Sequence, residues 1–438
     1  MSLRVELNPR VLRRARLPRW LLGAAWPQAR DAQGVMRPAL ARIELAQGRV
    51  REVIPEDVLP LEAGAWDLDG ALVLPGLVDA HVHLDKTFTL ARIPHVKPGL
   101  LGAIEASVAD IANWTPEDIH ARASRGLQWA WEAGTTRIRT HVNWAEIGPL
   151  PAAWPVLDRL AHDWADRLRL ELVSLTKLDS FADASAARHI ASQVRATGSH
   201  AILGGFVHSI NWNAQALRHL FEAAQAADLD VDLHADEELF PDAQGLLGTA
   251  RVLREIGFAG RVVCGHVCAL ASMPEHQALS ILDEVARSPI TLVSLPITNL
   301  LLQDASNNRT PRLRGITLVK EARARGIPLL FASDNVQDPF CPVGSYDPIE
   351  AMASATTAAQ LDAPFDAWSD TICRGDFLER GTPGTFALEG SAADLVVFTQ
   401  ADAIGWPSRG GPRVVLRTGV AQSAPPARWH AHALHLTP

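Results

Sequence analysis

Along the middle of the chain, short apolar β-type runs alternate with stretches whose apolar residues recur at helical spacing. The runs are Ala71–His83, Thr136–Asn143, Arg169–Lys177, Ala201–His208, Val231–His234, Arg261–His266, Thr291–Leu295 and Pro328–Asp334, and each predicts a strand. Between two of them, Ala214 to Ala227 puts Leu217, Leu220, Phe221 and Ala224 on one helical face. Thr115-Pro116-Glu117-Asp118 reads as a helix start, with Thr115 as cap, Pro116 in the first position and carboxylates in the first turn. Gly134, just before the second strand, is expected to end that helix. A bundle or a sandwich would not alternate in this way; a parallel sheet wrapped by helices does. Eight strands spread over about 260 residues match the (β/α)8 TIM-type barrel, for which about 250 is typical.

The two ends of the chain lie outside this count. The first 70 residues hold the β-type pieces Ala41–Leu45 and Val50–Ile54 around Gln47-Gly48, and the tail holds Ala393–Phe398 and Arg413–Arg417. The expected division is a barrel over residues 71–384 and one small β-domain assembled from residues 1–70 and 385–438. The stretch Arg10 to Arg19 is basic and acid-poor in the manner of a transit peptide. Glu6, Pro9 and Pro18 interrupt it, so a solvated face or loop is the expectation.

Composition narrows the function classes. Hydrophobic residues make up 47% and charged ones 21%, enough to bury a large core. A net charge of −8 argues against binding a nucleic-acid backbone. No apolar run reaches the about 18 residues of a membrane span. The four cysteines, Cys264, Cys268, Cys341 and Cys373, form neither zinc-type pairs nor a disulfide framework. A cytoplasmic setting is therefore expected, and a homo-oligomer is left open. Cys264 reads as buried packing.

The unusual polar residues cluster where barrel strands end, and in a barrel the active site sits at those C-terminal ends. The first strand ends in His81-Val82-His83, and alternation along a strand turns both imidazoles to one side. The fifth ends in His234-Ala235-Asp236-Glu237, the sixth in Cys264-Gly265-His266 and the eighth in Ser333-Asp334-Asn335. His81, His83, His234 and Asp334 make a nitrogen and oxygen ligand set for one divalent metal ion, Zn²⁺ or Fe²⁺, with a position left for water. Glu237 and His266 fall where a proton carrier and an oxygen-orienting group are needed. The alternative is a set of unrelated polar residues capping strands, which the joint placement on strands 1, 5, 6 and 8 disfavours.

These residues also carry a family resemblance. Leu74-Pro75-Gly76-Leu77-Val78-Asp79-Ala80-His81-Val82-His83-Leu84-Asp85, His234-Ala235-Asp236-Glu237 and Ser333-Asp334-Asn335 resemble signatures of the amidohydrolase superfamily. Arg139-Thr140-His141-Val142, Arg314-Gly315-Ile316-Thr317 and Asp334-Asn335-Val336-Gln337-Asp338-Pro339-Phe340 are similar to the cytosine deaminase branch. His83-Leu84-Asp85-Lys86 resembles the branch that removes alkylamines from s-triazine rings, of the N-isopropylammelide type. The resemblance implies one metal on His81, His83, His234 and Asp334, catalytic roles for Glu237 and His266, and Asn335 near the substrate. Two-metal relatives carry a bridging lysine on the fourth strand; here that strand reads Gly204-Gly205-Phe206-Val207-His208.

The chemistry expected is hydrolytic deamination of a small N-heterocycle. The metal would bring the pKa of its water to about 7 and so supply hydroxide at neutral pH. Hydroxide attacks the ring carbon bearing the amine, Asp334 and His266 take up its proton and negative charge, and Glu237 protonates the adjacent ring nitrogen. Lys177 at the end of the third strand is expected near the barrel mouth, where cytosine deaminases carry a glutamine. A lysine only donates, and Asn335 replaces an anionic aspartate, so both departures point away from cytosine itself. Phe340 and Trp212 could stack on a ring, and His141 and His208 could line the pocket. Competing functions are removal of an alkylamine from a triazine, opening of a cyclic amide, and a non-catalytic scaffold, which would be expected to lose the ligands kept here.

Overall fold

The computed structural model describes residues 7–30, 34–57, 64–144, 148–198 and 201–429; Glu6 lies outside them. Eight parallel strands run in chain order through one sheet: β1 (Leu77–Val82), β2 (Thr135–Asn143), β3 (Arg169–Leu175), β4 (Ala201–Val207), β5 (Val231–Ala235), β6 (Val262–His266), β7 (Ile290–Ser294) and β8 (Leu329–Phe331). The chain closes into a (β/α)8 barrel just beyond β8. There Asp334 bridges Val82 in parallel and donates its N–H to the His81 carbonyl at 2.9 Å, while Ser333 donates its N–H to Asp79 Oδ1 at 2.9 Å.

The helices form where the sequence signals them. The Thr115 hydroxyl accepts the Asp118 N–H at 3.2 Å and starts the helix Pro116–Ala133. Gly134 ends it at φ 102°, a left-handed conformation that costs a glycine little. The helix Ala214–Ala226 buries Leu217, Leu220, Phe221 and Ala224, as expected from their spacing.

The run Ala71–His83 is not one strand. Val73–Pro75 pairs antiparallel with Leu395–Phe398, and the chain crosses to the barrel at Gly76, whose N–H reaches the Asp394 carbonyl at 2.8 Å. The crossing is tight: a Cβ on Gly76 would sit 2.3 Å from Thr136 Cγ2. A second sheet joins Val11–Ala15, Ala41–Ala46, Arg49–Pro55 and Ala65–Asp67. Both sheets contribute to one core, in which Leu12, Ile43 and Trp66 meet Leu395, Val414 and Trp429. The basic stretch Arg10–Arg19 is not the solvated face or loop expected. It contains the strand Val11–Ala15, with Arg13 and Arg16 buried and ion-paired to Glu56 and Asp366.

The barrel interior is divided. Val78, Ala80, Val263, Val293, Leu295, Leu330 and Ala332 form an apolar cluster on β1, β6, β7 and their neighbours. On the opposite strands an ionic network is buried instead. Glu171 on β3 accepts from Arg137 at 2.7 Å and from Arg139 at 3.0 Å, and Arg139 donates to Asp232 on β5 at 2.8 Å. Among the described residues, no helix is long and apolar enough to cross a membrane.

Candidate active site

The strand ends deliver the histidines to one point. A bulge between Asp79 and Val82 interrupts the β1 ladder, yet both imidazoles converge on the histidine of β5. His81 Nε2 and His83 Nε2 each lie 3.2 Å from His234 Nε2. Asp334 Oδ1 lies 3.2 Å from His83 Nε2 and 3.7 Å from His81 Nε2. Four donor atoms about 2.0–2.1 Å from one ion at tetrahedral angles would be spaced about 3.3 Å apart. The set therefore fits a divalent cation.

Two further observations support the fit. Neither carboxylate oxygen of buried Asp334 accepts a hydrogen bond, which is costly unless something cationic satisfies them. His83 Nδ1 faces the His141 carbonyl at 3.2 Å, so Nδ1 carries the hydrogen and Nε2 keeps its lone pair. Burial holds His81, His83 and His234 well below the usual histidine range, so all three are neutral donors. His141 stacks on His81 with ring centroids 3.8 Å apart and belongs to the same cluster.

The backbone is strained where these groups are presented. Asp236, His266, Val267 and Asp334 all take left-handed φ values, 50°, 69°, 45° and 64°. Non-glycine residues in this region cost energy and concentrate at functional sites. The turn at Asp236 sorts two acidic neighbours. Asp236 accepts the N–H groups of Gly245 and Leu246 at 2.9 and 2.8 Å and caps the next helix, whereas Glu237 stays at the mouth.

Glu237 Oε1 lies 3.3 Å from His266 Nδ1. Burial, reinforced by the charge of Asp334, pushes the Glu237 carboxyl well above its usual range, so it holds a proton at neutral pH. His266 is pushed down to about 4, chiefly by burial. The Asn299 amide nitrogen lies 3.1 Å from His266 Nδ1, leaving the His266 Nε2–H as a donor with no protein partner.

A cavity of about 450 Å³ opens above this cluster, lined among others by Leu100, Leu101, His208, Glu237, Glu238 and Leu302. His208 is thus at the wall as expected, 3.4 Å from Glu238. Asn335 is buried and donates to Asp338 Oδ2 at 2.6 Å. Phe340 lies beside the site, but a lysine occupies its ring face: Lys86 Nζ is 5.1 Å from the centroid. Trp212 packs on the outer core instead. Lys177 is exposed, follows β3 into a short turn and does not line the cavity. Sequence reasoning did not single out Lys86, Asn299, Glu238 or Asp338. Lys86 stands in the quoted motif after His83, whereas Asn299 lies in the apolar helix Pro296–Leu302 and carries no local signal.

Neutral nitrogen donors, a buried carboxylate and a held proton at one barrel mouth suit hydrolysis, and the protein is a hydrolase acting on carbon–nitrogen bonds. It belongs to the Amidohydrolase family, whose model matches residues 65–209 and 173–404. It is 35% identical over 395 residues to a pterin deaminase of Rhizobium rhizogenes, covering 89% of this chain and 88% of the relative. It is 26% identical to N-isopropylammelide isopropyl amidohydrolase of Pseudomonas sp. (strain ADP), covering 76% of this chain and 81% of the relative. Its fold matches 5-methylcytosine deaminase of Klebsiella pneumoniae with a TM-score of 0.77 at 23% identity, covering 95% and 98% of the two chains.

Proposed function

We propose that this enzyme hydrolyses the exocyclic amine of a small amino-substituted N-heterocycle and releases ammonia, using one divalent cation, Zn²⁺ or Fe²⁺, held by His81, His83, His234 and Asp334. The observation that carries the reading is the juxtaposition of this donor set, with spacings of 3.2–3.7 Å, and a protonated Glu237 beside His266. The similarity to a pterin deaminase over nearly the whole chain supports a heterocyclic amine as substrate. The proposal takes residues 71–384 as the catalytic barrel and the two chain ends as one small β-domain, a division supported by their shared core. It places the enzyme in the cytoplasm, in keeping with four free, buried cysteines.

A bound divalent cation supplies Lewis acidity and makes a water nucleophilic near neutral pH. The protein groups do the rest. Asp334 accepts a proton from the attacking water as its oxygen bonds to the ring carbon. Glu237 gives its proton to the ring nitrogen beside that carbon, and His266 donates from Nε2 to the oxygen being added. A proton then passes through Glu237 to the amine, the carbon–nitrogen bond breaks, and the products are a ring carbonyl and ammonia. His141, His208, Asn335 and Phe340 surround the ring in this reading. Lys177 is the sequence candidate whose exposure gives it no part.

A second reading, loss of an alkylamine from a triazine, draws on the N-isopropylammelide relative and on the shared His83-Leu84-Asp85-Lys86 run. A panel of pterins, aminopyrimidines and alkylamino-triazines assayed for the released amine decides between them. Ammonia from an amino ring is expected. Alkylamine alone, or a ring-opened acid, would overturn the proposal.

A further inference from the structure

The chain has four lysines, and only one is buried. Lys97 pairs with Glu105 at the surface, and Lys177 and Lys320 are exposed, but Lys86 is 3% exposed. It follows β1 by four residues, in a segment fixed on both sides. The Asn143 N–H donates to Asp85 Oδ2 at 2.8 Å, and Arg122 donates to the carbonyls of Asp85 and Thr87. Nζ donates to Asn143 Oδ1 at 3.1 Å and lies over the Phe340 ring.

An ammonium carries three donors, and Asn143 takes one. No carboxylate among the described residues forms an ion pair with Lys86. A buried cation left with spare donors is costly unless a ligand completes it. Its direction is also fixed. The Lys86 charge opposes the upward push of burial on Glu237, Asp334 and Asp338, so the ammonium faces the same mouth.

We infer that Lys86 anchors an oxygen of the substrate ring, so that the substrate is an amino ring also bearing a carbonyl or anionic oxygen. The inference rests on the deaminase reading and deepens it. Asn143 and Phe340 aim the ammonium, and an amino ring without an oxo group leaves it unpaired. Lysine suits this task where an amide would not, because it offers only donors to an edge that only accepts.

The test compares pterin, which carries an amino and an oxo group, with 2-aminopteridine, which lacks the oxo group. Lys86→Met is expected to lower the kcat/KM preference for pterin by about 10–100-fold, the range for losing a charged hydrogen bond. Asn143→Asp, which would neutralise the ammonium without removing it, is expected to lower the same preference, and it carries the test alone if Lys86→Met does not fold. An unchanged preference in folded variants overturns the inference; so does an equal loss on both rings, which would make the lysine a general prop. Calorimetric binding of lumazine, the dioxo ring that pterin deamination would yield, separates this inference from the reading beneath it. Lumazine binding that weakens at least 10-fold in Lys86→Met supports the anchor even if neither ring loses ammonia, a result that would sink only the deaminase reading. A wild-type protein that does not bind lumazine overturns the anchor.

Discussion

Asp236 and Glu237 are adjacent acids with opposite tasks, and the backbone between β5 and the next helix separates them. Asp236 spends both oxygens on helix N–H groups, whereas Glu237 is buried beside His266 with a carboxyl pushed up by burial. Glu237→Gln keeps the shape and removes the exchangeable proton. Turnover on a verified substrate is expected to fall at least about 100-fold, the scale of general acid–base catalysis, with metal content unchanged. Normal turnover would remove Glu237 from the mechanism, and lost metal would move it among the ligands. At this scale the sequence was informative wherever residues sit on a strand end at fixed spacing, as His81, His83, His234, His266 and Asp334 do. It failed for lysine. Lys177 follows an apolar strand just as a mouth residue would, but the chain turns away there, and the buried lysine lies beyond β1 instead. No local pattern marks Asn299 as the partner of His266.

Among the elements, the barrel strands were legible because their apolar runs are short and separated by capped helices. The run Ala71–His83 misled because both of its halves are buried strands, and only the crossing at Gly76 divides them between two sheets. Strand packing also shapes the site. A Cβ on Gly265 of β6 would lie 2.9 Å from His81 Nδ1, so this glycine gives the His81 ring its room. Gly265→Ala is expected to displace His81 and weaken metal binding by about 10–100-fold, the range for altered ligand support, while the protein stays folded. Titration of Zn²⁺ into chelator-stripped protein reads this directly, and an unaltered affinity would show that the ring yields without consequence.

The ionic network across β2, β3 and β5 makes a separate expectation about stability. Burial alone would raise Glu171, but the charges of Arg139 and Arg137 outweigh it and lower the carboxyl from 4.5 to about 2. A carboxylate depressed on folding stabilises the fold fully above its unfolded value, and that contribution is lost as pH falls from about 4.5 toward 2. Glu171→Gln should cost about 3–5 kcal/mol at neutral pH, because it leaves buried arginines short of a partner. Its urea midpoint should also change less than that of the wild type across the acid range. Parallel acid limbs for the two proteins would mean that Glu171 is not the responsible group.

At the scale of the whole molecule, the two chain ends meet over one apolar core, and arginines fasten that core to the barrel. Arg16 pairs with Asp366 at 2.7 Å, and Arg417 donates to the Trp131 and Thr135 carbonyls at 2.6 and 3.0 Å. The pieces of this assembly were visible as β-type runs, but the pairing of Val73–Pro75 with Leu395–Phe398 joins residues too distant for any local pattern. The barrel then presents strands 1, 5, 6 and 8 at one mouth, and the account depends on what their donor atoms hold. Elemental analysis of the purified wild type, Asp334→Ala and Glu237→Gln tests it most directly. One divalent metal per chain in the wild type and in Glu237→Gln, with loss in Asp334→Ala, is the expected result. Two tightly bound ions per chain, or full occupancy after Asp334 is removed, would contradict it.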